Sequence, residues 1–204
     1  MKRAMNVIIK KYLLSMALGL FGLSAMAQSA SWNFNYMIAM PLGDTKEWVD
    51  ATSFRGFSIN GNSFIEDNIS VGGSMSWQGF YEQRDNVLIS RDNVDVYGTQ
   101  FRYINSFDLS LDAHYYLGQP YGVRPYFGGA VGPYYISQRG ELGLYSLVWE
   151  NWHFGFRADV GVYIPFNNSD YGLNLGAKYR YILRTNDSIN NEYLAFNIGL
   201  LHMM

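Results

Sequence analysis

Three stretches gather the side chains able to do chemistry: "DLSLDAH" (108–114), "HFGFRAD" (153–159) and "KYR" (178–180). Their charged members fall two or four residues apart, as Asp108, Asp112 and His114, then Arg157 and Asp159, then Lys178 and Arg180. On extended strands that spacing puts each set on one face. Carboxylates and cations sharing a dry interior must pair, so the first reading is a packed charge network. A selective ion path is the second, and it requires a continuous wet lumen. Ser146, Glu150 and His153 form the one catalytic-looking constellation, a nucleophile, an acid and a base close in sequence. A lone His among Trp and Phe is more often structural, and a base must first stand within hydrogen-bond reach of its proton. No GxSxG, HExxH, phosphate loop or cation-binding loop occurs. Cysteine is absent, which removes thiolate metal sites and disulfides. The expectation is a chain without catalytic residue, metal or cofactor.

The elements that position these residues begin after residue 27. Lys2, Arg3, Lys10 and Lys11 precede the apolar run "YLLSMALGLFGLSAMA", which closes on Ala25-Met26-Ala27, a signal-peptidase pattern. Residues 1–27 therefore read as a cleaved signal peptide, and 28–204 as one exported domain. Four of the 15 Lys and Arg lie in 1–27, leaving 11 against 17 Asp and Glu, a net of −6. That balance excludes nucleic acid as a partner, since phosphate recognition wants clustered cations. No later segment approaches the roughly 20 apolar residues of a spanning helix. A membrane form of this chain must cross as strands.

Eight segments alternate with period two: 31–40, about 53–61, 68–80, 106–117, 123–137, 151–166, 171–183 and 192–201. In the sixth, Trp152, Phe154, Phe156, Ala158, Val160, Val162 and Ile164 oppose His153, Gly155, Arg157, Asp159, Gly161 and Tyr163. In the fifth, Phe127, Val131 and Tyr135 oppose Gly128, Ala130 and Gly132, while Pro125 and Pro133 predict bends or bulges. Short turns at 62–67, 118–122 and 166–170 alternate with longer, more charged loops at 41–52, 81–104, 139–150 and 184–191. This is the pattern of an all-β, eight-stranded antiparallel up-and-down transmembrane β-barrel.

A soluble sandwich or lipocalin-like barrel would bury the apolar faces instead. Eight faces of aromatic and branched residues overfill so small an interior, whereas Gly, Ala, Ser and Asn fit it. Aromatics also gather at strand ends, as bilayer interfaces select. Trp77, Phe80, Trp149, Trp152 and Tyr193 fall on the loop side; Trp32, Tyr115, Tyr163, Phe166 and Tyr171 fall on the turn side. A turn centred near 168/169 sets Asp159 opposite Lys178 and Arg157 opposite Arg180. The loops 81–104 and 139–150 are the expected place for an extracellular ligand.

"SFDLSLDAHYYLGQPYGVRPYFGGAVGPYYISQ" (106–138) resembles the central hairpin of the OmpA/OmpX/OmpW-like eight-stranded outer-membrane barrels of Gram-negative envelopes. A strand ends in aromatics, then come a short turn, Arg-Pro-Tyr and a Gly-rich strand with aromatics. The resemblance implies outer-membrane lipid and lipopolysaccharide as surroundings and the barrel-assembly machinery as partner. It implies a non-enzymatic scaffold or surface-binding role. The alternatives are a porin-like conduit for small apolar molecules, as in the OmpW group, and a lipid A-modifying enzyme using His153. His114 lacks the His-x-Ser of lipid A deacylases, being followed by Tyr115 and Tyr116. Members usually finish on an aromatic residue, and this chain departs from them in ending Leu201-His202-Met203-Met204.

Overall fold

Every strand of an open sheet has two neighbours except the two at its edges, and here the first and last strands supply the missing neighbour to each other. The computed structural model describes residues 29–91, 94–119, 122–143, 145–167, 169–185 and 190–204, with backbone alone at 89–91 and 94–96. The expected signal peptide, 1–27, lies outside the described residues. The strands are β1 (Ser29–Leu42), β2 (Arg55–Glu66), β3 (Ile69–Arg91), β4 (Val94–Tyr116), β5 (Arg124–Leu142), β6 (Tyr145–Pro165), β7 (Tyr171–Ile182) and β8 (Asn191–Met203). Each pairs antiparallel with the next, and β8 returns to β1 in a closed barrel. A single turn of helix, α1 (Gly43–Trp48), interrupts the β1–β2 connection.

Period two then sorts the side chains. Trp32, Phe34, Tyr36, Leu109, Leu111, Phe127, Val131, Phe154, Phe156, Val160, Phe196 and Ile198 stand exposed on the outer wall. Asn33, Asn35, Ser58, Asn60, Ser74, Ser76, Asn174 and Asn197 are buried in the bore, with the seven charged residues singled out above. A wall of exposed aromatic and branched residues is disfavoured against water and favoured against hydrocarbon.

Tyr36, Phe57, Trp77, Phe107, Tyr135 and Trp152 form one registered row across β1 to β6. Strands of such barrels tilt by about 35–45°, so the row climbs as it circles the barrel. Its top, Trp152, stands near the outer end of β6. Glu150 is the next residue on that face, where the apolar run of the wall ends.

The strand boundaries depart from the sequence reading in three places. The turn expected at 62–67 tightens to Asp67–Asn68, because "NGN" stays in β2. Asn60 and Asn62 point into the bore, and Asn62 Nδ2 donates to Asp112 Oδ1 at 2.5 Å. Gly61 lies under Trp32, where a Cβ would stand 3.2 Å from the ring. The prolines bring no bulge: β5 keeps one register past Pro125 and Pro133, and shifts fall at Phe64/Glu66 and Arg84/Val87 instead.

The third departure is the largest. Segments 81–104 and 139–150 are strand, not loop, apart from their tips. Alternating β-branched and aromatic residues there let backbone groups bond one another rather than water. β3 to β6 therefore run well beyond β1, β2, β7 and β8 as a four-stranded blade.

Position along β6 sets the cost of a charge on the outer wall. Val160→Arg, five residues from the turn end of β6, is expected to lower stability of refolding into lipid by about 2–4 kcal/mol. Phe154→Arg, two residues from Trp152, should cost well under that, because the guanidinium reaches the headgroups. Urea titrations of both variants in lipid vesicles check this, and equal penalties would mean that this wall does not face a bilayer.

Candidate functional site

Arg157 is the centre of the bore. Its side chain is fully buried, and three carboxylates converge on it: Asp159 at 2.8 Å, Asp112 at 3.5 Å and Asp108 at 3.9 Å. Its Nη1 also donates to Ser74 Oγ at 3.0 Å. Asp108 accepts from Ser76 and Ser110, and Arg180 Nη2 donates to Ser76 Oγ at 3.0 Å while lying 3.9 Å from Asp108. His114 Nε2 meets Asp159 Oδ2 at 3.0 Å. Among the described residues, Lys178 Nζ donates to Ser58 Oγ alone, at 3.4 Å.

The strand register explains how these groups meet. Asp159 stands opposite Lys178 and Arg157 opposite Arg180, the pairing expected from the turn. Asp159 nevertheless bonds Arg157 on its own strand and His114 two strands away. On β5, Gly128 lies between His114 and Asp159, and Ala130 between Asp112 and Arg157. A Cβ at Gly128 would stand 2.3 Å from Ala113 O and 2.5 Å from His114 Cδ2. Small residues on β5 thus let β4 acids reach β6 cations across an intervening strand.

Two apolar closures bound the polar bore. Toward the blade, Phe80, Ile104, Tyr134, Ile136, Ile182 and Tyr193 pack together from five strands, with Val49 and Trp48 of the β1–β2 connection above them. At the turn end, Phe64, Tyr116 and Tyr126 pack with Met203. Arg124 lies 4.9 Å over the Tyr116 ring and 5.6 Å over Phe64. Below it a bowl of about 700 Å³ opens, lined by Glu66, Asp67, Asp170 and Phe166 among others.

The expected aromatic belts divide. Trp32, Tyr115, Trp152 and Tyr171 are exposed on the outer wall, and Trp77 is partly exposed there. Tyr163 and Tyr193 instead point inward, at 2% and 1% exposure, as does Phe80. Trp149 shares the inward face with His153 and meets Trp48 edge-on at 5.7 Å. The alternation itself carries the reason: Tyr163 has the parity of Asp159, Tyr193 that of Ala195, and Trp149 that of Arg157.

Ser146, Glu150 and His153 do not come together. His153 is buried on the inward face, with Nδ1 3.0 Å from Leu183 O. Ser146 and Glu150 share the outward parity, and Glu150 accepts from Tyr135 OH at 3.0 Å and Ser137 Oγ at 3.2 Å.

Hydrogen bonds and a cation–π contact that no sequence pattern signals hold the β1–β2 connection over the mouth. Arg102 lies 4.8 Å over the Trp48 ring and donates to Trp48 O at 3.0 Å. Glu192 N–H donates to Thr45 Oγ1 at 2.7 Å, and Asp50 N–H to Glu82 at 2.7 Å. Burial alone would raise the Glu82 carboxyl. Hydrogen bonds from Arg84 and the Asp50 amide, with the charges of Arg84 and Arg102, hold it below the ordinary glutamate range.

Solved structures similar to this chain include outer-membrane barrels. Neisserial surface protein A aligns at a TM-score of 0.55 and 16% identity, over 85% of this chain and 95% of that one. Ail, the attachment invasion locus protein of Yersinia pestis, aligns at 0.54 and 11%, over 88% and 100%. OprG of Pseudomonas aeruginosa aligns at 0.50 and 13%, over 87% and 97%. No protein-family model matches the chain, and no curated protein sequence does. At such identities the likeness speaks for the fold alone. The chain has the fold of the small eight-stranded outer-membrane β-barrels.

Two expectations follow from the bore. Arg157→Met should cost about 3–5 kcal/mol, because it strands three buried carboxylates. Lys178→Met, which removes one long hydrogen bond, should cost clearly less in the same urea titration; equal losses would refute Arg157 as the hub. Planar-bilayer recordings of purified protein should show no stable conductance of porin size, since both ends of the bore are closed. A reproducible large conductance would mean that the closures move aside.

Proposed function

We propose that the chain is a non-enzymatic outer-membrane protein whose barrel anchors a recognition surface outside the cell. One observation carries the reading: β3 to β6 continue beyond the apolar wall as a paired blade instead of ending in mobile loops. A rigid scaffold displaying exposed side chains beyond the lipid is how barrels of this size serve binding. Leu88, Tyr97, Tyr145, Leu147 and Val148 are exposed on that blade, more apolar surface than mere covering of the mouth calls for.

In this reading residues 1–27 direct export and are removed, and 28–204 insert through the barrel-assembly machinery among lipid and lipopolysaccharide. The charged bore is packing that holds the barrel rigid, not a path. The conduit reading fares worse, because apolar clusters from several strands cross the bore at both ends. The separation of His153 from Ser146 and Glu150 disfavours the lipid-modifying enzyme.

Cell fractionation with gel mobility before and after boiling tests the anchor. The protein should pellet with the outer membrane and shift on heating; a soluble, unshifting band would refute the proposal. Because the chain has no cysteine, Leu147→Cys creates one reporter on the blade. A membrane-impermeant maleimide should label it on intact cells, and labelling only after lysis would place the blade on the wrong side.

A further inference from the structure

The turn end of the barrel carries chemistry that the bore network does not use. Phe64, Tyr116 and Tyr126 close the bore there with Met203, and beyond them lies the bowl of about 700 Å³. Hydrogen bonds fix its frame. Met203 N–H donates to Asp170 O at 2.7 Å, Phe166 N–H to Tyr171 O at 2.9 Å, and Met204 N–H to Ala30 O at 2.7 Å. Arg124 Nη2 donates to Asp67 O, and to Asn68 Oδ1 at 3.1 Å, which ties the β2–β3 turn to β5. A cavity of this size with its walls already held suits a small ligand.

Charge divides the lining. Arg124 is the one cation among its described residues, set against Glu66, Asp67 and Asp170. Arg124 and Tyr163 stand opposite each other on β5 and β6 at the floor, each 2% exposed. The guanidinium lies over Tyr116 and Phe64, and its Nε has no hydrogen-bond partner among the described residues. A buried donor left unpaired is costly, and an acceptor entering the bowl removes that cost. The three carboxylates belong to two turns and are exposed at the rim. Among the described residues no three acidic or histidine side chains gather as a metal ion requires. They stand as separate charges, suited to a ligand with separate cations. Phe166 and Met203 add apolar surface to the same lining. The methylene stems of Lys or Arg pack on such surface while their charged ends reach the rim.

We propose that the bowl binds a short basic peptide that has a free C-terminal carboxylate. The carboxylate accepts from Arg124 at the floor, and Lys or Arg side chains of the peptide meet Glu66, Asp67 and Asp170 at the rim. A ligand carrying both signs satisfies both parts of the lining. A simple polycation leaves Arg124 unmet, and a simple acid meets the repulsion of the rim. The site stands on the geometry of the turn end, whichever end faces the exterior. That its peptides are periplasmic rests on the blade lying outside the cell, as proposed above.

Isothermal titration of purified protein in nanodiscs of zwitterionic phospholipid tests this with the tripeptide Lys-Ala-Lys. The wild type should bind the free acid, and the C-terminal amide about tenfold more weakly, since a charge-assisted hydrogen bond is lost. Asp170→Asn should weaken binding of the acid about threefold while the heat-induced gel shift stays as in the wild type. Arg124→Met should abolish the difference between acid and amide; if that variant does not fold, the two peptides on the wild type carry the same test. No heat of binding at millimolar Lys-Ala-Lys overturns the site. Equal binding of acid and amide by the wild type overturns the role of Arg124. Spermidine binding as tightly as the peptide reduces the bowl to an acidic rim and overturns a peptide ligand. Labelling of Asn167→Cys by an impermeant maleimide on intact cells, with peptide binding on purified protein retained, would sink the periplasmic placement alone.

Discussion

Closure of the sheet is the constraint on which the remaining features depend. A backbone in hydrocarbon has no water to satisfy its N–H and C=O groups, so every strand must have two neighbours. The β1–β8 ladder, from Ser31↔Met203 to Leu42↔Glu192, provides the last of these. Once the sheet closes, period two leaves each side chain only an inside and an outside. Eight strands enclose a narrow inside, which admits Asn, Ser and Gly with a few long polar chains. The apolar exterior follows from the same closure, because the large residues have nowhere else to go.

Burying charge in that bore is costly unless each group finds partners, and Arg157 organises them. Its reach depends on β5, where Gly128 and Ala130 clear the way between acids on β4 and the cation on β6. Neither strand could assemble the network alone. Arg180 joins through Ser76 and Asp108, and His114 through Asp159, so β3, β4, β6 and β7 share one hydrogen-bonded centre. Such a centre ties the register of β3 to β7 together, since a one-residue slip would send each charge to the outer wall.

Much of this was legible in the sequence because alternation is a local signal. It placed Asp108, Asp112, His114, Arg157, Asp159, Lys178 and Arg180 inside and gave the β6–β7 register. It also carries the inward placement of Tyr163, Tyr193 and Trp149, since parity decides their facing even at strand ends, where aromatics otherwise mark an interface. Partner choice was not legible: Asp159 faces Lys178 in register but bonds Arg157 and His114, because side-chain reach and the gap at Gly128 decide between neighbours. Strand length was hidden too. Charges in 81–104 read as loop, yet Tyr81↔Tyr103 and Glu82↔Arg102 pair as strand. "NGN" read as a turn, although its asparagines bond the bore.

The blade shows what happens where the constraint lifts. Within the wall, the parity of a residue decides whether it meets hydrocarbon or the bore, and a change of character is costly on either face. Beyond the level of Trp152 both faces meet water, so the strict apolar and polar alternation loses its physical cause. The sequence of β6 changes there. From Phe154 to Val162 the apolar residues keep to the outward face, whereas in 145–149 Tyr145, Leu147 and Trp149 occupy the inward parity and Val148 the outward. All of 145–150 are exposed. Residues freed from the barrel's packing rule are those whose character can answer to a partner instead. The barrel's own requirements explain 151–165 and stop short of explaining 145–150, and in the proposed reading that boundary within one continuous strand separates anchorage from recognition.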